Sequence, residues 1–132
     1  MTYILFDIGG TKTRVAMSRT LETIERTEKY DTPTSYTEGL SALFGAIDTL
    51  TGGEVVTAVA GGIRGTLNEA KAGIVSESIL TDWVGKDIVG DVGGKTSSPV
   101  YLENDAALVG LGEAHFGAGK GAVVDYLVEQ KG

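Results

Sequence analysis

The stretch Tyr3-Ile-Leu-Phe-Asp-Ile-Gly-Gly-Thr-Lys-Thr-Arg-Val-Ala-Met17 decides the fold. Ile4, Leu5, Phe6 and Ile8 form a short apolar run, the pattern of an interior strand. Thr13, Val15 and Met17 alternate with Arg14, Ala16 and Ser18, which predicts a second strand with one covered face. Between the two strands lies Asp7-Ile-Gly-Gly-Thr-Lys-Thr13. Gly9 and Gly10 in a tight turn let backbone N–H groups approach an anion without Cβ interference. Thr11 and Thr13 add hydroxyl donors, and Lys12 adds positive charge. Asp7, at the strand end, suits a carboxylate that holds Mg²⁺ through water or orients a water. Gly-Gly-Thr between strands equally suits an ordinary hairpin loop, where glycines supply positive φ.

Working outward, the chain has 132 residues, enough for one domain with a real core. Hydrophobic content of 42% and charged content of 22% are those of a soluble globular protein. The net charge is −7, with no run of Lys and Arg, which argues against nucleic acid as a partner. Cysteine is absent, so disulfides and thiol-ligated zinc are excluded for this chain. A single histidine, His115, builds no metal site without several carboxylates around it. No signal peptide is visible before the first strand, and no apolar run approaches membrane-spanning length. The expected location is the cytoplasm, with no membrane partner.

Past Met17, a turn near Arg19-Thr20 leads to a third, antiparallel strand over Glu22 to Asp31, ended by Pro33. Thr34 or Ser35 caps a helix with Glu38 in its first turn. Leu40, Leu43, Phe44 and Ile47 lie on one face, Leu50 follows, and Gly52-Gly53 stops it. Val55 to Ala60 reads as a strand parallel to the first. It runs into Gly61-Gly-Ile-Arg-Gly65, either a plain turn or the ligand-binding edge of the sheet. Gly73-Ile-Val75 suggests a short strand within an irregular excursion. Asp82 is expected to cap a helix that begins with Trp83 and ends near Val92, Trp83 serving as a packing residue.

A last pair of elements carries the second candidate motif. Pro99 to Glu103 predicts a strand, running into Asn104-Asp-Ala-Ala-Leu-Val-Gly-Leu-Gly-Glu-Ala-His-Phe-Gly117. Asn104 or Asp105 would cap a helix there; Asp105 also suits a general base, since the helix dipole helps keep it ionised. Gly117 to Gly121 is a loop without Walker spacing, and Ala122 to Val128 a final strand run.

Asp7-Ile-Gly-Gly-Thr-Lys-Thr13 resembles the first phosphate-binding motif of the actin-like sugar kinases, above all the ROK family. That family comprises bacterial glucokinases, N-acetylhexosamine kinases, fructokinases and related repressors. Ala60-Gly61-Gly62, with Gly73-Ile-Val75 and Trp83, is similar to the family's sugar-site wall, although Ala60-Gly61 stands where Pro-Gly is common. Asn104-Asp-Ala106, with Leu111-Gly-Glu113 and Gly117-Ala-Gly-Lys-Gly121, looks like its Asn-Asp-Ala helix and the following loop.

The resemblance implies a ribonuclease-H-like α/β domain of the actin-like ATPase class. Its mixed five-stranded sheet would have three antiparallel and two parallel strands, with flanking helices. It implies an ATP-dependent sugar kinase in which Asp105 takes the proton from the attacking hydroxyl. Asn104, Gly61, Gly62 and Glu113 would contact sugar. Asp7, Gly9, Gly10, Thr11, Lys12 and Thr13 would face the ATP phosphates, Asp7 assisting Mg²⁺ indirectly. Zinc has no ligands in this chain.

The resemblance spans residues 1–132 as a single N-terminal lobe, with the second lobe absent. The isolated chain is therefore expected to be inactive or weak. Its cleft would be completed by a C-terminal lobe or by a second copy in a homodimer. The alternative is a non-catalytic sugar-binding or scaffold domain of the same fold.

Overall fold

A computed structural model describes residues 1–20 and 23–104 of the chain. β1 (Tyr3–Ile8), β2 (Lys12–Ser18) and β3 (Arg26–Asp31) form an antiparallel meander. α1 (Tyr36–Thr51) follows, then β4 (Ala58–Ile63), which pairs parallel to β1. β5 (Thr66–Leu67) and β6 (Ile74–Ser76) make a separate small hairpin. A 3₁₀ turn (Thr81–Trp83) and α2 (Ile88–Thr96) lead to β7 (Val100–Asn104), parallel to β4. The sheet is five-stranded in the order β3-β2-β1-β4-β7, as the resemblance implies.

Apolar periodicity explains where the core lies. Ile4, Phe6, Ile8, Val15, Met17, Val59 and Ile63 share one face and are buried with Leu43, Ile47 and Leu50 of α1. The opposite face is covered too, since Leu5, Ala16 and Ala60 are fully buried. The expectation that β2 has a single covered face is thus corrected.

The first helix follows its sequence signals. Ser35 Oγ accepts from the Glu38 N–H at 3.3 Å. At the other end Gly52 closes α1 in the left-handed region, with φ 63°, its N–H donating to the Asp48 carbonyl. Gly39 is buried under the Trp83 indole, whose Nε1 donates to the Pro33 carbonyl at 3.4 Å. Tyr36 meets the same indole edge to face, with centroids 5.2 Å apart.

Three boundaries differ from the sequence expectation. β4 begins at Ala58 and continues through Gly61 and Gly62, which are strand residues and not a turn. Gly61 is in register with Phe6, whose ring would overlap any Cβ there. The glycine thus answers a packing demand, and Val55 remains exposed ahead of the strand. Asp82 does cap a helix, but it is α1: its Oδ2 accepts from the Tyr36 N–H at 2.7 Å. Gly85, at φ 81°, interrupts the chain after Trp83. α2 then starts under Asp87, which accepts from the Gly90 N–H, and runs past Val92 to Thr96. The third strand begins at Arg26 rather than Glu22, which lies outside the described residues. The helix expected after Asn104, the loop Gly117–Gly121 and the strand run Ala122–Val128 also lie outside them.

The amino-terminal strand is pinned by a polar clamp. Arg19 donates to both carboxylate oxygens of Glu54, at 2.6 and 2.8 Å, and Thr2 Oγ1 donates at 2.9 Å. The hydrogen bonds from Arg19, then that from Thr2, pull the Glu54 carboxyl from 4.5 to about 2. A depressed carboxyl stabilises the fold fully above its unfolded value and loses that contribution as pH falls through its folded value. Glu54→Gln is therefore expected to flatten the loss of thermal stability between pH 4.5 and about 2, followed by circular dichroism.

Gly39 offers a test with opposing terms. In an exposed helix Gly→Ala stabilises by about 1 kcal/mol. Here the new methyl group overlaps the indole of Trp83, and overpacking costs about 1–3 kcal/mol. Gly39→Ala is expected to lower the urea midpoint.

Candidate active site

A cavity of about 340 Å³ opens at the carboxyl ends of β1 and β4. Asp7, Gly9, Gly10, Thr11 and Lys12 line one side, with Arg14 from β2 and Arg64-Gly65 from the end of β4. This is the edge at which α/β sheets hold ligands. Asp7 is 1% exposed, and the parallel and antiparallel registers place it between Gly62 and Arg14.

The turn Gly9–Lys12 is tight for steric reasons. The Gly9 N–H donates to the Lys12 carbonyl at 2.9 Å, and a Cβ on Gly9 would lie 3.0 Å from that oxygen. Neither Gly9 nor Gly10 has positive φ; close approach, not left-handed backbone, selects these glycines. A Cβ on Gly10 would lie 2.7 Å from Nη1 of Arg64 and 3.2 Å from Cδ1 of Ile79. The Thr11 carbonyl accepts from the Thr32 N–H, which ties the turn to the segment after β3.

Three cations, Lys12, Arg14 and Arg64, converge on the cavity although the sequence shows no basic run. Lys12 pairs with Asp31, and that hydrogen bond, with the charge behind it, holds the Asp31 carboxyl below the usual range. Arg64 pairs with Glu77, whose side chain is only 5% exposed. Such a concave, positively lined edge suits a phosphate ester.

A family model described as the ROK family matches residues 3–128. The chain belongs to the ROK family. Among solved structures, the ROK family glucokinase from Streptomyces griseus, in complex with glucose and AMPPNP, is 30% identical with a TM-score of 0.74. The match covers 90% of this chain and 38% of that one. A ROK hexokinase from Thermus thermophilus is 26% identical, TM-score 0.70, over 92% of this chain and 41% of that one. A ROK family protein from Streptococcus pneumoniae, in complex with sucrose, is 28% identical, TM-score 0.70, over 87% and 39%. This ROK chain thus spans about two fifths of the length of these solved relatives. Comparison with curated proteins gives no match. The ROK sugar kinases have the actin-like ATPase fold, and the sheet described above is that fold.

Within this ROK chain the predicted site residues separate into groups. Asp7, Gly9, Gly10, Thr11 and Lys12 come together at the cavity. Thr13 does not line it: its side chain lies on the core face, 2% exposed, with its hydroxyl 2.8 Å from that of Thr32. Tyr30, in register with Thr13, is half-buried, and desolvation pushes its hydroxyl up to about 12. Gly61 and Gly62 lie toward the carboxyl end of β4, one strand from the turn. Asn104 ends β7 in register with Ile63, itself in register with Ile8. Its side of the rim is therefore about 10 Å from the end of β1. Asp105 and Glu113 lie outside the described residues.

Arg14 and Arg64 were not predicted. Arg14 was legible as the residue across from Asp7 once β1 and β2 were paired as a hairpin. Arg64 carried only the signal of its neighbours, two residues past a diglycine at a strand end.

Thr13→Val distinguishes a core hydroxyl from a phosphate contact. It strands the buried Thr32 hydroxyl, at a cost of about 1–3 kcal/mol. The expected result is a lower denaturation midpoint with unchanged pyrophosphate affinity by calorimetry.

Proposed function

We propose that the chain forms the N-terminal lobe of an ATP-dependent, glucokinase-type sugar kinase. The reaction is transfer of the ATP γ-phosphoryl group to a sugar hydroxyl. The alignment of three strand ends carries this reading. Ile8, Ile63 and Asn104 stand in one row, so the cation-lined turn and Asn104 share one rim of one sheet.

Roles follow from that row. The backbone and side chains of Gly9–Lys12 receive the phosphates, with Thr13 setting the turn from the core side. Asn104, with Gly61, Gly62 and Glu113, contacts the sugar. Asp105, the next residue after Asn104, accepts the proton of the attacking hydroxyl. Asp7 is a buried carboxylate on the cavity wall, and among the described residues no three His, Cys, Asp or Glu side chains cluster as an all-protein metal site. That donor set fits Mg²⁺ shared with nucleotide phosphates, held by Asp7 through water. The ion, when bound, neutralises charge on the phosphates. Glucose and AMPPNP in the S. griseus relative support this ligand pair.

Phosphoryl transfer is mostly positioning and charge stabilisation, which needs groups on both sides of the moving phosphoryl. This lobe supplies one side. In an ATP–glucose coupled assay the purified chain is expected to show little or no turnover, and turnover like that of an ordinary kinase would refute that expectation. Calorimetry with glucose tests the site itself: weak binding, lost in Asn104→Ala, is expected. A chain that binds neither glucose nor AMPPNP is a non-catalytic domain of the same fold, and the kinase reading fails.

A further inference from the structure

Arg64 has no role in the reaction as laid out above, yet it holds the middle of the rim. It stands one residue past Ile63, at the carboxyl end of β4. β4 lies between β1, which leads into the phosphate turn, and β7, which ends in Asn104. The backbone at this point is fixed on both sides. The Arg64 N–H donates to the Ile8 carbonyl at 3.2 Å, and Gly65, at φ 109°, turns the chain into β5. The β5–β6 hairpin then returns Glu77 beside Arg64.

Burial in this pair is unequal. The Glu77 side chain is 5% exposed, whereas that of Arg64 is 37% exposed and lines the cavity. Glu77 meets Nε of the guanidinium. Guanidinium carries five N–H donors in a rigid plane, so a partner at Nε leaves the terminal Nη groups for another acceptor. Nη1 lies directly over Gly10 of the phosphate turn. Glu77 Oε1 accepts from the Ser78 N–H at 2.8 Å, and moving the arginine away would leave the other, buried oxygen without its cation, so the pair is held together and the fork is aimed.

We propose that Arg64 contacts the phosphoryl group in transit between nucleotide and sugar, with Glu77 as the positioning residue that holds its fork over Gly10. The inference rests on the kinase reading. Two terminal N–H groups match two phosphoryl oxygens, a geometry that a lysine cannot reproduce.

Titration of the 132-residue chain with inorganic pyrophosphate, followed by ³¹P NMR, tests it, with thermal unfolding of each variant run in parallel. Arg64→Ala is expected to weaken binding about tenfold or more. Arg64→Lys, which keeps the charge and loses the fork, is expected to fall between. Glu77→Ala separates positioning from charge: Coulomb attraction alone predicts tighter anion binding, and positioning predicts weaker. Glu77→Gln keeps an acceptor for Nε and is expected to bind at least as well as the parent. Pyrophosphate binding that is unchanged in Arg64→Ala, or equal in Arg64→Lys, overturns the role of Arg64 and leaves the cleft reading intact. Tighter binding by Glu77→Ala overturns the positioning role. A parent chain that binds no pyrophosphate overturns the cleft reading together with this inference.

Discussion

Backbone hydrogen bonding between β1 and β4, and between β4 and β7, holds Ile8, Ile63 and Asn104 in one row across the sheet. Parallel pairing imposes this, because all three strands then finish on the same side. The antiparallel hairpin β1–β2 adds the other half of the constraint, since its turn must lie where β1 ends. A one-residue slip of β1 against its neighbours would flip Asp7 from the cavity to the core face and Phe6 the other way. The apolar row Val15, Phe6, Gly61 and Leu102 forbids that slip, because Phe6 fits only over a residue without a side chain. Core packing therefore sets the geometry of the cleft.

Charge at the rim is assembled by the same device. Lys12, Arg14 and Arg64 are distant or interrupted in sequence and meet only through strand order. Each cation has a different restraint. Lys12 is tied to exposed Asp31, Arg14 stands opposite Asp7, and Arg64 is anchored to buried Glu77. An exposed pair such as Lys12–Asp31 adds little to stability and leaves its lysine easy to recruit. The net charge of −7 thus coexists with three cations gathered at one cavity, each facing a carboxylate.

Much of the sheet was legible because its signals are local. The apolar run of β1, the alternation of β2, the Ser35 cap and the Gly52 stop each act within a few residues. The errors came where a distant partner decides. Gly61 and Gly62 read as lying past the strand, as a turn or a ligand-binding edge, because nothing nearby reveals that Phe6 needs the space at Gly61. Asp82 read as the cap of the following helix, while its acceptor role is spent on Tyr36, far earlier in the chain. Thr13 read as a phosphate donor by proximity to the turn, but alternation along β2 sends its side chain to the core face. Arg64 escaped notice because its meaning depends on a hairpin that returns Glu77 to it.

Trp83 is the chain's sole tryptophan, fully buried between Gly39, Tyr36 and the Pro33 carbonyl. It ends the segment that begins with Glu77 and passes Ile79 beside the Gly9–Lys12 turn. A single indole therefore couples the flank of the cleft to the head of α1. Its emission spectrum provides an intrinsic, label-free monitor of whether that flank stays docked against α1.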